Sequence, residues 1–279
     1  MFDARAAAEL LWRHRCEGTV LSGLPEALRP NDHAQGHAIQ ADLPAVAGQG
    51  VVGWKIAATS LAGQAHINVS GPLAGRILSG SVFEPGAALS LAGNRMRVAE
   101  PEFAFCMGTT LAPRTAPYHV HEVLAAVATL HPAFELPDSR FADFTRAGQA
   151  QLIADNACCG HFVFAAAAPD AWRDMNLPAH RVRGVVHAAD GSQRVARDGT
   201  GSAALGDPRI ALTWLVNELS SLGMALEAGQ FVSTGTCVQP LAIAPGDRVD
   251  ADFGALGSLS MHLRARVSYP AWPHAAGAP

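Results

Sequence analysis

Lysine is nearly missing from this chain: nineteen of its twenty basic residues are arginine, and the exception is Lys55. Basic charge is not in excess either. The formal net charge is −4, so no electrostatic footprint for nucleic acid is present. Charged residues are scarce at 16%, against 49% hydrophobic. That balance supplies a large core and surface to bury in a homo-oligomer. Yet no apolar run reaches about 18 residues, so no membrane-spanning helix is expected. The N-terminus, Met1-Phe-Asp-Ala-Arg5, has an early acid where a signal peptide would be basic and then apolar. The five cysteines are an odd count for a chain this long and form no C-x-x-C spacing, which fits reduced thiols in a cytoplasm.

What is there centres on Arg97-Val-Ala-Glu-Pro-Glu-Phe-Ala-Phe105. β-Branched and aromatic residues favour a strand here. Alternation then puts Glu100 and Glu102 on one face. Pro101 between them suits an edge, a strand start or a bulge. Two neighbouring carboxylates in an apolar run repel each other and are costly to desolvate. Either they face water on an exposed strand, or a hard cation such as Mg²⁺ or Mn²⁺ compensates them. Leu130-His-Pro-Ala-Phe-Glu-Leu-Pro-Asp-Ser-Arg140 adds a third acid, Glu135, in another strand-like run, and three carboxylates favour the metal. Lys55 lies in Val51-Val-Gly-Trp-Lys-Ile-Ala57, also apolar and strand-like. Lysine has a pKa that its surroundings can move, whereas arginine stays protonated. A lysine retained there either serves proton chemistry or snorkels to the surface.

In order, the pattern predicts helices over 2–17, capped by Asp3 and stopped by Gly18, over about 31–41, and over 59–67. Strands are expected near 51–57, 88–92 and 97–105, and 71–78 reads as loop plus strand. A helix is expected over 121–129 and an amphipathic helix over 209–222, with Pro208 at its start and Gly223 beyond it. Later strands are expected over 161–168, 183–188, 193–197, 231–236, 248–253 and 258–267, with Ala189-Asp-Gly191 as a hairpin signal. Gly48-Gln-Gly-Val-Val-Gly53 matches G-x-G-x-x-G literally, but it precedes a strand rather than following one and is rejected as a dinucleotide motif. His33 and His37, at i and i+4, read as helix-surface histidines. Val232-Ser-Thr-Gly-Thr236 is a hydroxyl-rich turn whose Thr234, Gly235 and Thr236 either offer donors to a carboxylate or form a plain turn. Asp155 and Asn156 either line a site or cap a turn. Trp54, Leu73, Phe141 and Phe144 either line a substrate pocket or pack as core, with core the default. Many short strands with few helices argue for a mixed α/β fold. Residues 269–279 read as a Pro/Ala/Gly-rich tail.

Taken together, Gly53-Trp-Lys55, Ala99-Glu-Pro-Glu-Phe-Ala104, Phe134-Glu-Leu-Pro-Asp-Ser-Arg140, Ala154-Asp-Asn-Ala157, Gly206-Asp-Pro208, Val232-Ser-Thr-Gly-Thr236 and Gly257-Ser-Leu-Ser260 resemble the 2-keto-4-pentenoate hydratase branch of the fumarylacetoacetate hydrolase superfamily. The resemblance implies a β-roll core, here over 91–268, behind a smaller N-terminal α/β region over 1–90. It implies Mg²⁺ or Mn²⁺ on Glu100, Glu102 and Glu135, with Lys55 as the catalytic lysine. Arg140, Asp155 and the 234–236 turn become substrate contacts. The implied substrate is a small 2-oxo or 2-hydroxydienoic acid from aromatic-ring degradation. The implied reaction is hydration, with decarboxylation of an oxo-diacid, acylpyruvate hydrolysis, or a non-catalytic partner role as alternatives. A homo-oligomer is implied, and a complex with a related decarboxylase is a further expectation. One departure stands out: the family's P-D-F-G loop acid is replaced by Leu73 in Gly71-Pro-Leu-Ala-Gly75.

Overall fold

Four helices begin on a side-chain oxygen, as their sequences ask. The computed structural model describes residues 2–265, so the expected tail at 269–279 lies outside the described residues. The helices are α1 (Ala4–Glu17), α2 (His33–Ala47), α3 (Leu61–Ile67), α4 (Val120–Ala125), α5 (Gln149–Ala154) and α6 (Pro208–Ser221). Asp3, Asp32, Ser60 and Asp207 cap α1, α2, α3 and α6 by accepting from the backbone N–H of Ala6, Gln35, Gly63 and Arg209. Gly18 and Gly48 close α1 and α2 in the left-handed region. α6 buries Ala211, Leu212, Leu215, Val216 and Leu219, each large aliphatic side chain contributing about 1.5–3 kcal/mol. No helix among the described residues is long and apolar enough to cross a membrane.

The strands are β1 (Val51–Ala57), β2 (Leu73–Leu78), β3 (Val82–Phe83), β4 (Ala88–Ser90), β5 (Val98–Met107), β6 (Val127–Leu136), β7 (His161–Phe164), β8 (Arg181–His187), β9 (Gln193–Thr200), β10 (Phe231–Thr236), β11 (Leu241–Ala242), β12 (Arg248–Asp252) and β13 (Ser258–Arg264). One sheet runs β2-β1-β10-β5-β6-β7-β3, with β11 also on β5; the other runs β4-β13-β12-β8-β9. Ile77 of β2 packs with Phe162 of β7 and Val82 of β3, so the first sheet curls until its two ends meet. The second sheet covers its outer face where Gly184 of β8 closes on Pro101 and Leu241; an added Cβ there would lie 2.7 Å from Leu241. This is the mixed α/β roll that the sequence leads one to expect.

Two expectations change. The helix expected over 121–129 ends at Ala125, and β6 begins at Val127. Val127 and Thr129 are β-branched, Pro132 cannot continue a helix, and pairing with β5 outweighs the helical spacing. The expected boundary at 90/91 is crossed by both sheets, because β1, β2 and β3 belong to the same sheet as β5 and β4 pairs with β13.

Candidate metal centre

On β5, alternation brings Glu100 and Glu102 to the inner face of the roll, and Glu100 pairs across with Glu135 of β6. Lys55 sits three strands away from β6 in the sheet order, about 14 Å in a flat sheet. Its Nζ nevertheless lies 3.1 Å from Glu135 Oε1, because the sheet curls inward here. One oxygen from each glutamate falls within 4.8 Å of the others. The sequence's three candidate ligands and its single lysine therefore share one site.

Each carboxylate is held by a distinct local device. Glu102 Oε2 accepts from Ser233 Oγ at 2.6 Å and from Gly235 N at 2.9 Å. That N–H is free because β10 breaks register against β5 between Ser233 and Thr236. Such a break has the character of a bulge. Gly235 has φ +103, and a Cβ there would lie 2.2 Å from Thr59 Oγ1, so only glycine fits. Lys55 Nζ donates to Ala157 O at 3.0 Å. That carbonyl belongs to Asn156-Ala157-Cys158, three consecutive non-glycine residues in the left-handed region with φ 56, 53 and 58. Such a conformation costs about 1–2 kcal/mol per residue and holds only because its surroundings fix it. The Asn156 side chain fixes it by exchanging two hydrogen bonds with the Arg76 backbone, at 2.7 and 2.8 Å.

The electrostatics ask for a cation. Burial pushes Glu100 up to about 7, with Glu135 adding to the rise and Lys55 opposing it. Burial, then Glu135 and Glu100, raise Glu102 well above the usual carboxylate range. Burial also raises Glu135, against the pull of Lys55. Burial disfavours the charge on Lys55, but Glu135, Cys159 and Glu100 outweigh it and hold the ammonium above its ordinary value. Glu102 Oε1 is buried with no hydrogen-bond partner, and the fully buried Glu135 carboxylate has the Lys55 ammonium and the Gly160 backbone beside it. Three clustered carboxylates against one ammonium, with an orphaned oxygen, fit a divalent ion that takes oxygen ligands, such as Mg²⁺ or Mn²⁺.

The remaining predicted residues sit differently. Thr234 is fully buried and its hydroxyl donates to Phe103 O, on the opposite face from Ser233. Gly235 supports Glu102, and Thr236 Oγ1 donates to Val238 O. Asp155 Oδ2 accepts from Ser139 Oγ and Arg140 N. Arg140 pairs with Asp138 and donates to Thr19 O and Gly93 O. Asp155 and Arg140 thus brace the 138–140 turn and its neighbours. Leu73 pairs with Ala57 and lies two residues before Gly75, the partner of Lys55. It is 3% exposed, an apolar side chain on the lysine's face. The sequence reading missed Ser233, although it lies inside the quoted motif, and the Ala157 carbonyl, which no side-chain pattern announces.

No family model matches the chain. Among curated proteins it is 35% identical over 209 residues to a 4-oxalocrotonate decarboxylase from Pseudomonas sp, covering 75% of this chain and 77% of that protein. It is 34% identical over 219 residues to a 2-hydroxyhexa-2,4-dienoate hydratase from Comamonas testosteroni, covering 77% of this chain and 79% of that one. Its fold matches the 4-oxalocrotonate decarboxylase of Pseudomonas putida G7, a structure complexed with magnesium and adipate, at a TM-score of 0.81 and 23% identity over 93% of this chain and 97% of the other. With its roll and its carboxylates now in place beside these relatives, the chain belongs to the 2-keto-4-pentenoate hydratase branch of the fumarylacetoacetate hydrolase superfamily.

Proposed function

We propose that the protein is a metal-dependent hydratase that adds water to a 2-hydroxy-2,4-dienoate in the breakdown of aromatic compounds. The observation that carries this reading is the convergence of Glu100, Glu102 and Glu135 beside the buried Lys55. The three glutamates would hold Mg²⁺ or Mn²⁺, which when bound supplies Lewis acidity toward an adjacent carboxylate and 2-oxygen. Ser233 and Gly235 keep Glu102 oriented. Lys55, anchored by Ala157 O and charged, holds a proton at Nζ for delivery to the substrate's carbon framework. Thr236 is the turn residue retained as a substrate contact; the bonds of Thr234, Asp155 and Arg140 support structural roles.

Leu73 favours a second reading. An apolar side chain on the lysine's face can neither activate water nor donate a proton. Loss of CO₂ from a 2-oxo-diacid needs no protein base for water and would run on the same glutamates and lysine. The test is turnover of 2-hydroxypenta-2,4-dienoate, followed by loss of ultraviolet absorbance, beside an oxo-diacid, each with Mg²⁺ and with chelator. Metal-dependent formation of a 4-hydroxy-2-oxo acid supports hydration; metal-dependent CO₂ release from the diacid alone replaces it with decarboxylation. Inertness toward both sinks hydration and decarboxylation and leaves acylpyruvate hydrolysis or a non-catalytic partner role. The five free cysteines support a reducing, cytoplasmic setting, and the half-buried Phe164–Phe231 stack at 4.4 Å supports a homo-oligomer; complex formation with a related decarboxylase rests on kinship to such enzymes.

A further inference from the structure

His161, at the start of β7, makes no hydrogen bond from either ring nitrogen among the described residues. Its Nδ1 is buried, and the ring sits edge-on to Phe83 at 5.1 Å. A neutral imidazole carries one donor and one acceptor. Leaving a buried polar atom unmatched is costly, and in a folded protein it calls for a missing partner. The ring lines a cavity of about 360 Å³ between α1, α2 and the edge of the roll. That volume falls in the range of small-molecule sites. Trp12, Leu43, Leu78 and Phe83 supply an apolar wall, and its aromatic members suit a flat ring. The charged heads near the cavity are engaged elsewhere. Arg15 Nη2 donates to the carbonyls of Asp138 and Cys159, and Arg140 pairs with Asp138. The Arg76 guanidinium lies over Trp54 at 4.6 Å and reaches the sulfur of Met224, and neither of these lines the cavity. Burial pushes His161 down to about 4, with Arg15 adding to the fall, so the ring is neutral at neutral pH. An ionic occupant would have to break these bonds to recover its lost hydration; a hydroxyl needs only the imidazole.

From an unmatched imidazole in an otherwise apolar and aromatic cavity, we propose that the cavity binds a small neutral aromatic alcohol of the phenol class, its hydroxyl on His161. A hydroxyl both donates and accepts, so it matches whichever ring nitrogen faces it. The site is separate from the metal centre, since neither Lys55 nor any of the three glutamates lines it. Asn156 and Cys159 do line it, and the Ala157 carbonyl between them accepts from Lys55 Nζ. The occupant thus shares a wall with the segment that anchors the lysine.

The experiment is calorimetric titration of the full chain with phenol, toluene and benzoate, all with chelator present. Without free metal the result does not depend on the hydratase reading. Phenol is expected to saturate one site, and benzoate to bind roughly tenfold more weakly or not at all. His161→Phe, which keeps a ring and removes both nitrogens, should weaken phenol roughly fivefold or more while toluene binds as before or better. A merely structural role for His161 would weaken both alike. Leu43→Trp, which fills the cavity from α2, should abolish phenol binding even if His161→Phe folds poorly. Lys55→Met should leave phenol binding unchanged. The assignment is overturned by no saturation, which leaves the cavity to water, by parallel loss of phenol and toluene in His161→Phe, or by benzoate binding as tightly as phenol. Retained phenol binding in Leu43→Trp, or its loss in Lys55→Met, would overturn it as well.

Discussion

Gly75 packs directly against Lys55. A Cβ at this position would lie 2.5 Å from Asn156 O and 3.1 and 3.2 Å from Cγ and Cδ of Lys55. The first neighbour is backbone, and the two bonds between Asn156 and Arg76 hold it in place. Gly75→Ala must therefore push either β2 or the 156–158 segment, and overpacking of this kind costs about 1–3 kcal/mol. At about 2–4 °C per kcal/mol for a chain of this class, the melting temperature should fall by roughly 2–12 °C. Displacing Ala157 O also misplaces Lys55 Nζ. A shift of about 1 Å at a reacting group can cost on the order of a hundredfold, so kcat should fall more than KM rises. The control is Gly71→Ala, where an added Cβ meets nothing within 4 Å. Calorimetric melting and steady-state turnover of both variants would test this. A Gly75→Ala protein with wild-type melting temperature and kcat would refute the claim that this contact sets the lysine.

Three further outcomes are expected. Lys55→Met should abolish turnover while Mn²⁺ binding by titration calorimetry stays equal or tightens, because Glu135 loses its competing ammonium; retained turnover would remove Lys55 from the chemistry. Glu102→Gln keeps an oxygen for Ser233 and Gly235 but removes a charge, so Mn²⁺ affinity should drop at least tenfold, read by electron paramagnetic resonance; full activity would sink the metal scheme. His161 is held neutral with its pKa lowered to about 4, so its contribution is present above the unfolded value near 6.5 and is lost as pH falls from there toward 4. That loss is at most about 3 kcal/mol, and denaturant melts between pH 7.5 and 4 should show a shallower fall in His161→Phe; an identical slope would contradict the burial argument.

Much of the centre was legible because strands alternate. Glu100 and Glu102 could be set on one face from sequence, Glu135 joined them there only through the resemblance, and Lys55 drew notice by being the single lysine. The same alternation on β10 separates Ser233 and Gly235 from Thr234, and applied strictly it would have moved the carboxylate-facing role off Thr234. What stayed hidden depended on distant partners. Asp155 meets Ser139 and Arg140, and the Arg140 guanidinium reaches Thr19 and Gly93; nothing local announces these pairings. The α4–β6 junction was misplaced because helical spacing of apolar residues competes with a strand partner that only the folded sheet supplies.

The topology also bears on how the protein comes to exist. β1, which carries Lys55, pairs in parallel with β10 near the other end of the chain, and β10 in turn completes the hold on Glu102. Contacts this remote in sequence close late and make folding slow. A nascent chain that has not yet released β10 has its lysine strand unpaired on one side and Glu102 without the Ser233 and Gly235 bonds. Divalent ion would then act as a proofreader of synthesis, favouring the finished topology by about 2.7 kcal/mol at a hundred times Kd and leaving incomplete or mispaired chains to proteolysis.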